Sequence, residues 1–394
     1  MHTVATTGEH ARGARTFGLS LLLAAACTAL PGGRSDVTAS GATERVRARL
    51  QAVVANGDAP GIQYVVVGPS STLFDGAEGW ADLAVRRPLE PGTTMMAYSM
   101  TKTVTAAAVL QLVERGALAL DAPVKALVPE IPYGDRLTVR HLLAQTSGIP
   151  NPIPLKWVHL PEEHAAYDEQ AMLARRLAEN PTLRFPPGER YAYSNISYWL
   201  LGRVVEKASG LPYQDYVRAN VFDRLGLSHA AIGFVIPDRA NHAKGYLPRW
   251  SLSNLLKPFL IDRKFVGEYE GSWLHVKDNF LDGAAFGGIV TSARAMSRFL
   301  QDQIAPGSVL LGPEARRLFF ERQRNDAGEL VETTLGWHVA PHGKGYYFKE
   351  GGGAGFHSEM RIDPVARFGS VVIANSGSFD VKGFLDAADG EFAR

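Results

Sequence analysis

Hydrophobic and polar residues recur along the chain with two periods, which predict strands near both ends and helices between them. Residues 61–68 are a β-branched apolar run between turn residues, typical of a buried strand, and residues 72–84 predict a second strand or hairpin. Helices are predicted to start at about Thr43 and Val381. Four runs near the C-terminal end have the composition of successive antiparallel strands: 335–339, 345–349, 358–362 and 370–375.

The most regular helical pattern lies at residues 103–116, where apolar residues have the spacing of a buried stripe and a glycine follows as a stop signal. A second helix is predicted within residues 137–143, because Thr138 is a suitable N-cap. The apolar stripe of the first helix consists of Val104, Ala107, Ala108 and Leu112.

Strands near both ends with helices between them predict a sheet closed by segments far apart in sequence. Residues 160–230 have mainly helical periodicity, whereas residues 245–285 are rich in aromatic side chains, have no clear class and could form a pocket wall or lid. The predicted fold class is α/β (α+β type), a central antiparallel sheet flanked by helices with an all-α insertion at about 120–285. No internal repeat occurs, so residues 43–394 are predicted to be one domain.

The N-terminus has the pattern of a secretory signal peptide over residues 1–27. Two arginines precede the apolar run 17–26, which ends in small residues and is too short to span a bilayer. Cys27 follows, where bacterial lipoproteins carry their acylated cysteine; simple cleavage after Ala26 is the alternative. Residues 28–42 are predicted to be a flexible tether, so the protein is expected to be exported to the periplasm or the exterior, with membrane anchoring through Cys27 if it is lipidated.

Composition excludes several classes of function. The chain is 46% hydrophobic and 21% charged with a formal net charge of +1, which gives no reason to expect a nucleic-acid partner. Cys27 is the only cysteine, so neither an intramolecular disulfide nor a cysteine cluster for zinc can form. The histidines lack metal-ligand spacing, and no phosphate-binding loop occurs. We therefore expect no metal and no cofactor.

The first chemical motif is the pair Ser99 and Lys102 at the start of the predicted helix. Residues three apart share one face of a helix, so the lysine amine can lie beside the serine hydroxyl. A lysine can deprotonate a serine if burial and neighbouring cations lower its pKa. Taken alone, the pattern is more typical of a serine at a helix start followed by a surface lysine.

The second motif, Tyr193 and Asn195, follows a Pro-Pro-Gly turn and precedes an apolar helix. A phenol can relay a proton to a leaving group if nearby lysines lower its pKa, and an amide can bridge a substrate and a lysine. The alternative is a loop tyrosine that packs on the helix behind it.

The third motif is Lys349-Glu350-Gly351-Gly352-Gly353 at a predicted strand end. Glycines in a strand are expected where a ligand approaches the backbone closely. The backbone N–H of Gly352 could form an oxyanion hole with that of Ser99, and Lys349 would add positive potential. A glycine-rich hairpin turn is the alternative.

The order of the three motifs, S-x-x-K, Y-S-N and K-E-G, resembles the serine β-lactamase and penicillin-binding-protein superfamily. The resemblance extends over about residues 43–390 and is greatest to the class C branch, which includes D-Ala-D-Ala carboxypeptidases and carboxylesterases. It implies Ser99 as the acylated nucleophile, Lys102 as its general base and Tyr193 as the proton-transfer residue. It further implies that Asn195, Lys349 and Gly351 bind or accommodate the substrate.

One position departs from that family. Glu350 stands where the family usually has Thr or Ser, whose hydroxyl helps to bind the carboxylate of a β-lactam. A glutamate there is expected to repel such a carboxylate by about 1 kcal/mol, so efficient β-lactam hydrolysis is not expected. The predicted function is an exported serine hydrolase acting on small-molecule or peptide substrates. A D-amino-acid peptidase, an esterase on small acyl esters and a non-catalytic penicillin-binding sensor remain open, as does the oligomeric state.

Overall fold

The β-branched run near the N-terminus forms a central strand of the main sheet, as its composition predicts. The computed structural model describes residues 33–152, 157–251, 254 and 262–392. In it this strand, β1 (Gly61–Val67), pairs antiparallel with a strand from each end of the chain. In spatial order, the main sheet consists of β12 (His338–Val339), β13 (Tyr347–Gly353), β14 (Phe356–Asp363), β15 (Phe368–Ala374), β1 (Gly61–Val67), β2 (Thr72–Asp82) and β3 (Arg87–Pro88).

The closure of the sheet by distant segments is confirmed, and each of the four predicted C-terminal runs contains a strand, although 335–339 is a strand only at His338–Val339 and the next strand extends from Tyr347 to Gly353. Ile62 pairs with Ala374, so the two ends of the domain meet in the centre of the sheet. Smaller antiparallel sheets are β4 (Met95–Met96) with β6 (Ile232–Gly233) and β11 (Val290–Thr291), β5 (Val158–His159) with β10 (Phe280–Leu281), and β7 (Gly245–Pro248) with β8 (Val266–Glu270) and β9 (Trp273–Val276).

Helices cover both faces of the main sheet. They are α1 (Gly33–Ala55), α2 (Thr101–Glu114), α3 (Val124–Leu127), α4 (Val139–Leu143), α5 (Glu169–Glu179), α6 (Asn195–Ser209), α7 (Tyr213–Val217), α8 (Ala284–Gly287), α9 (Ala293–Ile304), α10 (Pro313–Phe320) and α11 (Val381–Ala388).

Alternate residues of β1 face two separate hydrophobic clusters, as the two-residue period of a strand requires. Tyr64 and Val66 lie in the smaller cluster, which α1 and α11 cover. Val65 and Val67 lie in the larger cluster, which includes α2, α6 and α9. The larger cluster is the side of the sheet that carries the candidate site.

The first helix starts earlier than the sequence predicted. Helix α1 begins at Gly33, so residues 33–42, predicted as part of a tether, are helical. No proline interrupts the run after Pro31, and Ala42 is buried with the helix face that packs on the sheet. The predicted signal peptide with Cys27 and the beginning of the tether lie outside the described residues.

The insertion is not all-α, which corrects the prediction for its last part. Strands β7, β9 and β8 form a three-stranded antiparallel sheet within residues 245–276. Leu274 and Val276 of β9 are buried in a small cluster with Leu247, so a two-residue period is present but limited to short segments. Strands of four or five residues leave too little periodicity to be recognised in sequence.

The predicted cap of the fourth helix is confirmed. Thr138 accepts a hydrogen bond from the backbone N–H of His141, and the His141 ring accepts one from the Thr138 backbone in return.

Across the described part of the chain, no helix is long and apolar enough to cross a membrane.

Candidate active site

Ser99 lies in a single 3-10 turn, Tyr98–Met100, that leads directly into α2. Tyr98 has a φ of +45°, in the left-handed region that side chains with a Cβ rarely adopt. Its ring is buried, and its hydroxyl donates to the backbone carbonyl of Ala354 at 3.0 Å. The strained residue is therefore held in place by its own side chain, and it turns the chain so that Ser99 follows at the helix start.

Lys102 is completely buried and surrounded by three oxygen acceptors. Its Nζ lies 3.0 Å from Ser99 Oγ, 2.8 Å from Asn195 Oδ1 and 2.6 Å from the backbone carbonyl oxygen of Phe286. The pairing of Ser99 and Lys102 on one helical face is thus present. Burial, and secondly the charge of Lys349, hold the pKa of Lys102 well below its usual value.

Tyr193 lies on the other side of Ser99, with its hydroxyl 2.7 Å from Ser99 Oγ. The sequence made proton relay by this phenol conditional on nearby lysines lowering its pKa, and that condition is not met. Burial raises the pKa of Tyr193 and outweighs the hydrogen bond from Ser99, which lowers it. Both lysines beside it also have lowered pKa values and so supply less positive charge. Tyr193 is therefore a neutral phenol near pH 7.

The third motif lies on β13, next to Ser99 and Tyr193. Lys349 Nζ lies 5.3 Å from the ring centroid of Tyr193. Lys349 is 2% exposed, and burial lowers its pKa to about 7. Among the described residues, no carboxylate lies within ion-pair distance of Lys102 or Lys349. The two amines therefore share one buried region without a counter-charge.

Gly351 is the position where β13 comes closest to Ser99. A Cβ at Gly351 would lie 2.2 Å from the carbonyl oxygen of Ala97 and 3.1 Å from the Ser99 nitrogen. No larger residue fits there, which agrees with the expected close approach. Gly352 follows at the strand edge, where β13 pairs with β14 but no longer with β12.

A cleft of about 450 Å³ lies beside the loop that carries Tyr193. The His338 ring lies 6.2 Å from the Tyr193 ring, and burial together with the two lysines holds the pKa of His338 well below its usual value. His338 is consequently neutral and, with Tyr191 and Phe348, forms a largely aromatic wall of the cleft.

Sequence reasoning missed two groups that fix the site. One is the Phe286 carbonyl, a backbone atom that no side-chain pattern can indicate. The other is Gln145: its side chain accepts from the Ser194 N–H at 2.7 Å and donates to the Ser194 carbonyl at 3.3 Å. Its backbone carbonyl also accepts from Ala192 N–H, so Gln145 holds both sides of Tyr193. Gln145 lies two residues beyond the end of α4, so the available signal was only an amide side chain just after a predicted helix.

The sequence profile of the family described as Beta-lactamase matches residues 46–391. The chain belongs to this family. The predicted superfamily and its fold, a central antiparallel sheet with flanking helices, are thereby confirmed.

Relatives of this beta-lactamase family chain carry different names. Penicillin-binding protein 4* of Bacillus subtilis (strain 168) is 27% identical over 296 residues, which are 74% of this chain and 62% of that protein. Esterase EstB of Burkholderia gladioli is 34% identical over 200 residues, 45% of this chain and 48% of that protein. The matches thus span less than two thirds of the length of these relatives.

The fold also agrees with solved structures. The crystal structure of D-amino acid amidase from Ochrobactrum anthropi SV3 complexed with L-phenylalanine amide has a TM-score of 0.71 at 21% identity. The likeness covers 90% of this chain and 97% of the amidase, and at this identity it shows the fold alone.

Glu350, the departure from the family's third motif, is paired with a histidine. Its Oε1 lies 2.7 Å from Nε2 of His357, whose Nδ1 lies 2.6 Å from the carbonyl oxygen of Phe379. Both ring nitrogens face acceptors, so both contacts are hydrogen bonds only when His357 is an imidazolium. The Glu350 hydrogen bond and the Phe379 carbonyl outweigh burial and raise the pKa of His357. The expected repulsion of a substrate carboxylate is therefore partly compensated.

Among the described residues, no group of three or more His, Cys, Asp and Glu side chains could hold a metal ion.

Proposed function

We propose that this chain is a serine hydrolase that cleaves an ester or amide carbonyl through an acyl-enzyme on Ser99. The observation that carries the proposal is the contact of Ser99 Oγ with both Lys102 Nζ and the Tyr193 hydroxyl, at 3.0 and 2.7 Å. A serine hydroxyl between an amine of lowered pKa and a phenol is equipped for nucleophilic attack.

The three acceptors around Lys102 suit a neutral amine acting as general base. Its two N–H groups can donate to Asn195 Oδ1 and to the Phe286 carbonyl, which leaves the nitrogen lone pair directed at Ser99 Oγ. Lys102 takes the hydroxyl proton as Ser99 Oγ forms a bond to the carbonyl carbon, and the carbonyl oxygen becomes an oxyanion. The N–H groups of Ser99 and Gly352 are the proposed donors to that oxyanion.

Collapse of the tetrahedral intermediate breaks the bond to the leaving group. The Tyr193 phenol is the proposed donor of the proton that the leaving group gains, and the Lys102 ammonium replaces that proton. Attack of water on the acyl-enzyme then reverses these transfers, releases the acid and restores Ser99. Lys349, close to Tyr193, would stabilise negative charge that develops on the phenol oxygen.

Small acyl esters are the proposed substrates. Support comes from the likeness to Esterase EstB and from Glu350, which replaces the hydroxyl that the family uses to bind a β-lactam carboxylate. The aromatic side chains of Tyr191, His338 and Phe348 could pack against an acyl or leaving group in the cleft, which Arg322 and Glu332 also line. A peptidase on D-amino-acid peptides is the second candidate, because Penicillin-binding protein 4* matches the larger share of this chain.

A non-catalytic sensor is less well supported, because Ser99, Lys102, Tyr193 and Lys349 are all present and close together.

Export and lipidation of Cys27 belong to the same proposal. Mass spectrometry of the mature N-terminus tests them: a chain that still begins with Met1 would exclude export through the predicted signal peptide.

The deciding experiment compares wild type with Ser99→Ala, using Ser71→Ala as a matched control at an exposed serine. Substrates are p-nitrophenyl butyrate, a D-Ala-D-Ala peptide and a chromogenic cephalosporin. We expect turnover of the ester, with kcat/KM at least about 1000-fold lower in Ser99→Ala, and loss of fluorophosphonate labelling in that variant only. Labelling that persists at another serine would refute the assignment, and acylation without turnover would favour the sensor.

A further inference from the structure

The carbonyl that contacts Lys102 belongs to a short segment fastened to α2 at two points. Thr105 Oγ1 donates to the carbonyl of Ala285 at 2.7 Å, and Ile289 N–H donates to Thr101 Oγ1 at 3.2 Å. Between these points, Phe286 directs its carbonyl at the amine of Lys102. The position of α8 therefore determines one of the two acceptors that orient the base.

A carboxyl group holds the beginning of α8 from the other side. Oε1 of Glu169 accepts from the backbone N–H of Ala284 at 3.2 Å and from the indole N–H of Trp199 at 2.9 Å. Glu169 is the first residue of α5, and Trp199 lies on α6. One oxygen atom thus ties α5, α6 and α8 together two residues before Phe286.

We propose that Glu169 is a positioning residue of the base: its carboxylate fixes the first turn of α8 and so the point where the Phe286 carbonyl meets Lys102. Glu169 touches no reacting atom and acts through the backbone of Ala284 to Phe286. The inference rests on the proposed function, because it takes Lys102 as the general base.

Ionisation of Glu169 makes this role pH-dependent. Burial, and to a smaller extent the charge of Glu206, raise the pKa of Glu169 to about 7, against the hydrogen bonds from Ala284 and Trp199 and the charge of Arg203. A carboxylate accepts hydrogen bonds more strongly than a carboxylic acid. Glu169 therefore holds α8 more firmly above pH 7 than below it.

Several titratable groups face Glu169. His159 and His164 line a small cavity with Glu169 and Ala284; burial, and secondly the charge of His159, lower the pKa of His164. Arg203 and Glu206 form an ion pair with each other. The pKa values of Tyr167 and Tyr213 are raised, first by burial and also by the charge of Glu169, so both remain neutral. A surface cleft of about 460 Å³ is lined by Glu169 together with Arg203, Glu206, Tyr167 and Tyr213, which gives its proton a route to solvent.

Two substitutions separate positioning from a merely structural role. Glu169→Gln keeps an oxygen acceptor and removes the titration, whereas Glu169→Leu removes the acceptor. Asp389→Asn is the control, since it also neutralises a buried acid but lies on the opposite face of the sheet. For each protein, kcat and KM for p-nitrophenyl butyrate are measured from pH 5.5 to 8.5, with the thermal midpoint at each pH.

We expect kcat of Glu169→Leu to fall at least tenfold with little change in KM, and Glu169→Gln to recover most of it. The kcat values of wild type and Glu169→Gln should coincide near pH 5.5 and diverge about threefold by pH 8.5, while Asp389→Asn changes only the thermal midpoint.

A Leu variant with wild-type kcat, or Gln and wild-type profiles that run parallel, would overturn the inference. If the Leu variant does not fold, the pH comparison of Glu169→Gln decides alone. Absence of turnover in wild type would instead refute the proposed function, so the two failures are distinguishable.

Discussion

Two buried polar networks lie on opposite faces of the main sheet and differ in how their charges are balanced. On the α11 side, the guanidinium of Arg361 contacts the carboxylates of Glu359 at 2.5 Å and Asp386 at 2.7 Å, with Asp389 at 3.6 Å. Tyr64 donates to Asp389 as well, at 2.7 Å. On the α2 side, Lys102 has only neutral oxygen partners.

The comparison indicates that the network around Arg361 stabilises the fold, whereas the network around Lys102 is suited to catalysis. A buried cation surrounded by carboxylates keeps its charge, and the pKa of Arg361 is accordingly raised despite burial. A buried cation with neutral acceptors loses its proton readily, as the lowered pKa values of both lysines indicate. Each network can be removed by one substitution, and the two substitutions should have opposite consequences.

The largest effect is expected for Lys102→Met, which removes the proposed base and nearly conserves volume. Catalysis should fall by about 10²–10⁴-fold in kcat, the range for loss of a general base. The free energy of unfolding should change by less than about 2 kcal/mol, since the lost hydrogen bonds offset relief from burying an amine. Steady-state kinetics and urea unfolding measure the two quantities. An active Lys102→Met would exclude Lys102 as the base.

Arg361→Met is expected to do the reverse. The substitution leaves Glu359, which is 2% exposed, without its counter-charge, and removing one partner of a buried ion pair costs about 3–5 kcal/mol of stability. Urea unfolding at pH 7 should show this loss. The kcat of the folded protein should stay within about twofold of wild type, since Arg361 lies across the sheet from Ser99. A large loss of kcat with unchanged stability would contradict the division between the faces.

The smallest effect concerns the pH dependence of stability. Lys349 has a pKa of about 7 in the folded chain and about 10.4 in an unfolded one, so the unfolded chain binds the additional proton between these values. The free energy of unfolding should therefore rise with pH from 7 to 10, by about 1 kcal/mol per pH unit from this group. Lys349→Met removes the contribution.

Urea unfolding at pH 7, 8 and 9 measures these slopes, with Lys125→Met as control for an exposed lysine. A slope in Lys349→Met equal to that of wild type would show that Lys349 is not neutralised on folding.

How much could be predicted from sequence depended on whether the signal was local. The helix after Ser99, the strand at β1 and the Thr138 cap rest on short-range patterns, and all three are confirmed. The juxtaposition of Ser99, Tyr193 and Lys349 came from the order of motifs in a family, since no local rule brings residues so far apart together. The family resemblance, not periodicity, supplied that part.

What sequence could not provide depends on tertiary environment. The sequence made proton relay by Tyr193 conditional on a lowered pKa, but burial raises it, because the loss of hydration exceeds the effect of lysines that are themselves nearly neutral. The acceptor role of Phe286 depends on a main-chain atom, and that of Glu169 on contacts between three helices. The β7–β9 sheet was missed because each strand is four or five residues long.

The pairing of β1 with β15 has a consequence for how the protein is made. Ile62 cannot meet Ala374 until the segment of about 310 residues between them has left the ribosome, so the β1–β15 pairing cannot form while that segment is being made. Until then the edge of β1 that pairs with β15 has no partner strand. A nascent chain with this delay stays open to chaperones, and removal of β15 would leave β1 without a neighbour on that edge.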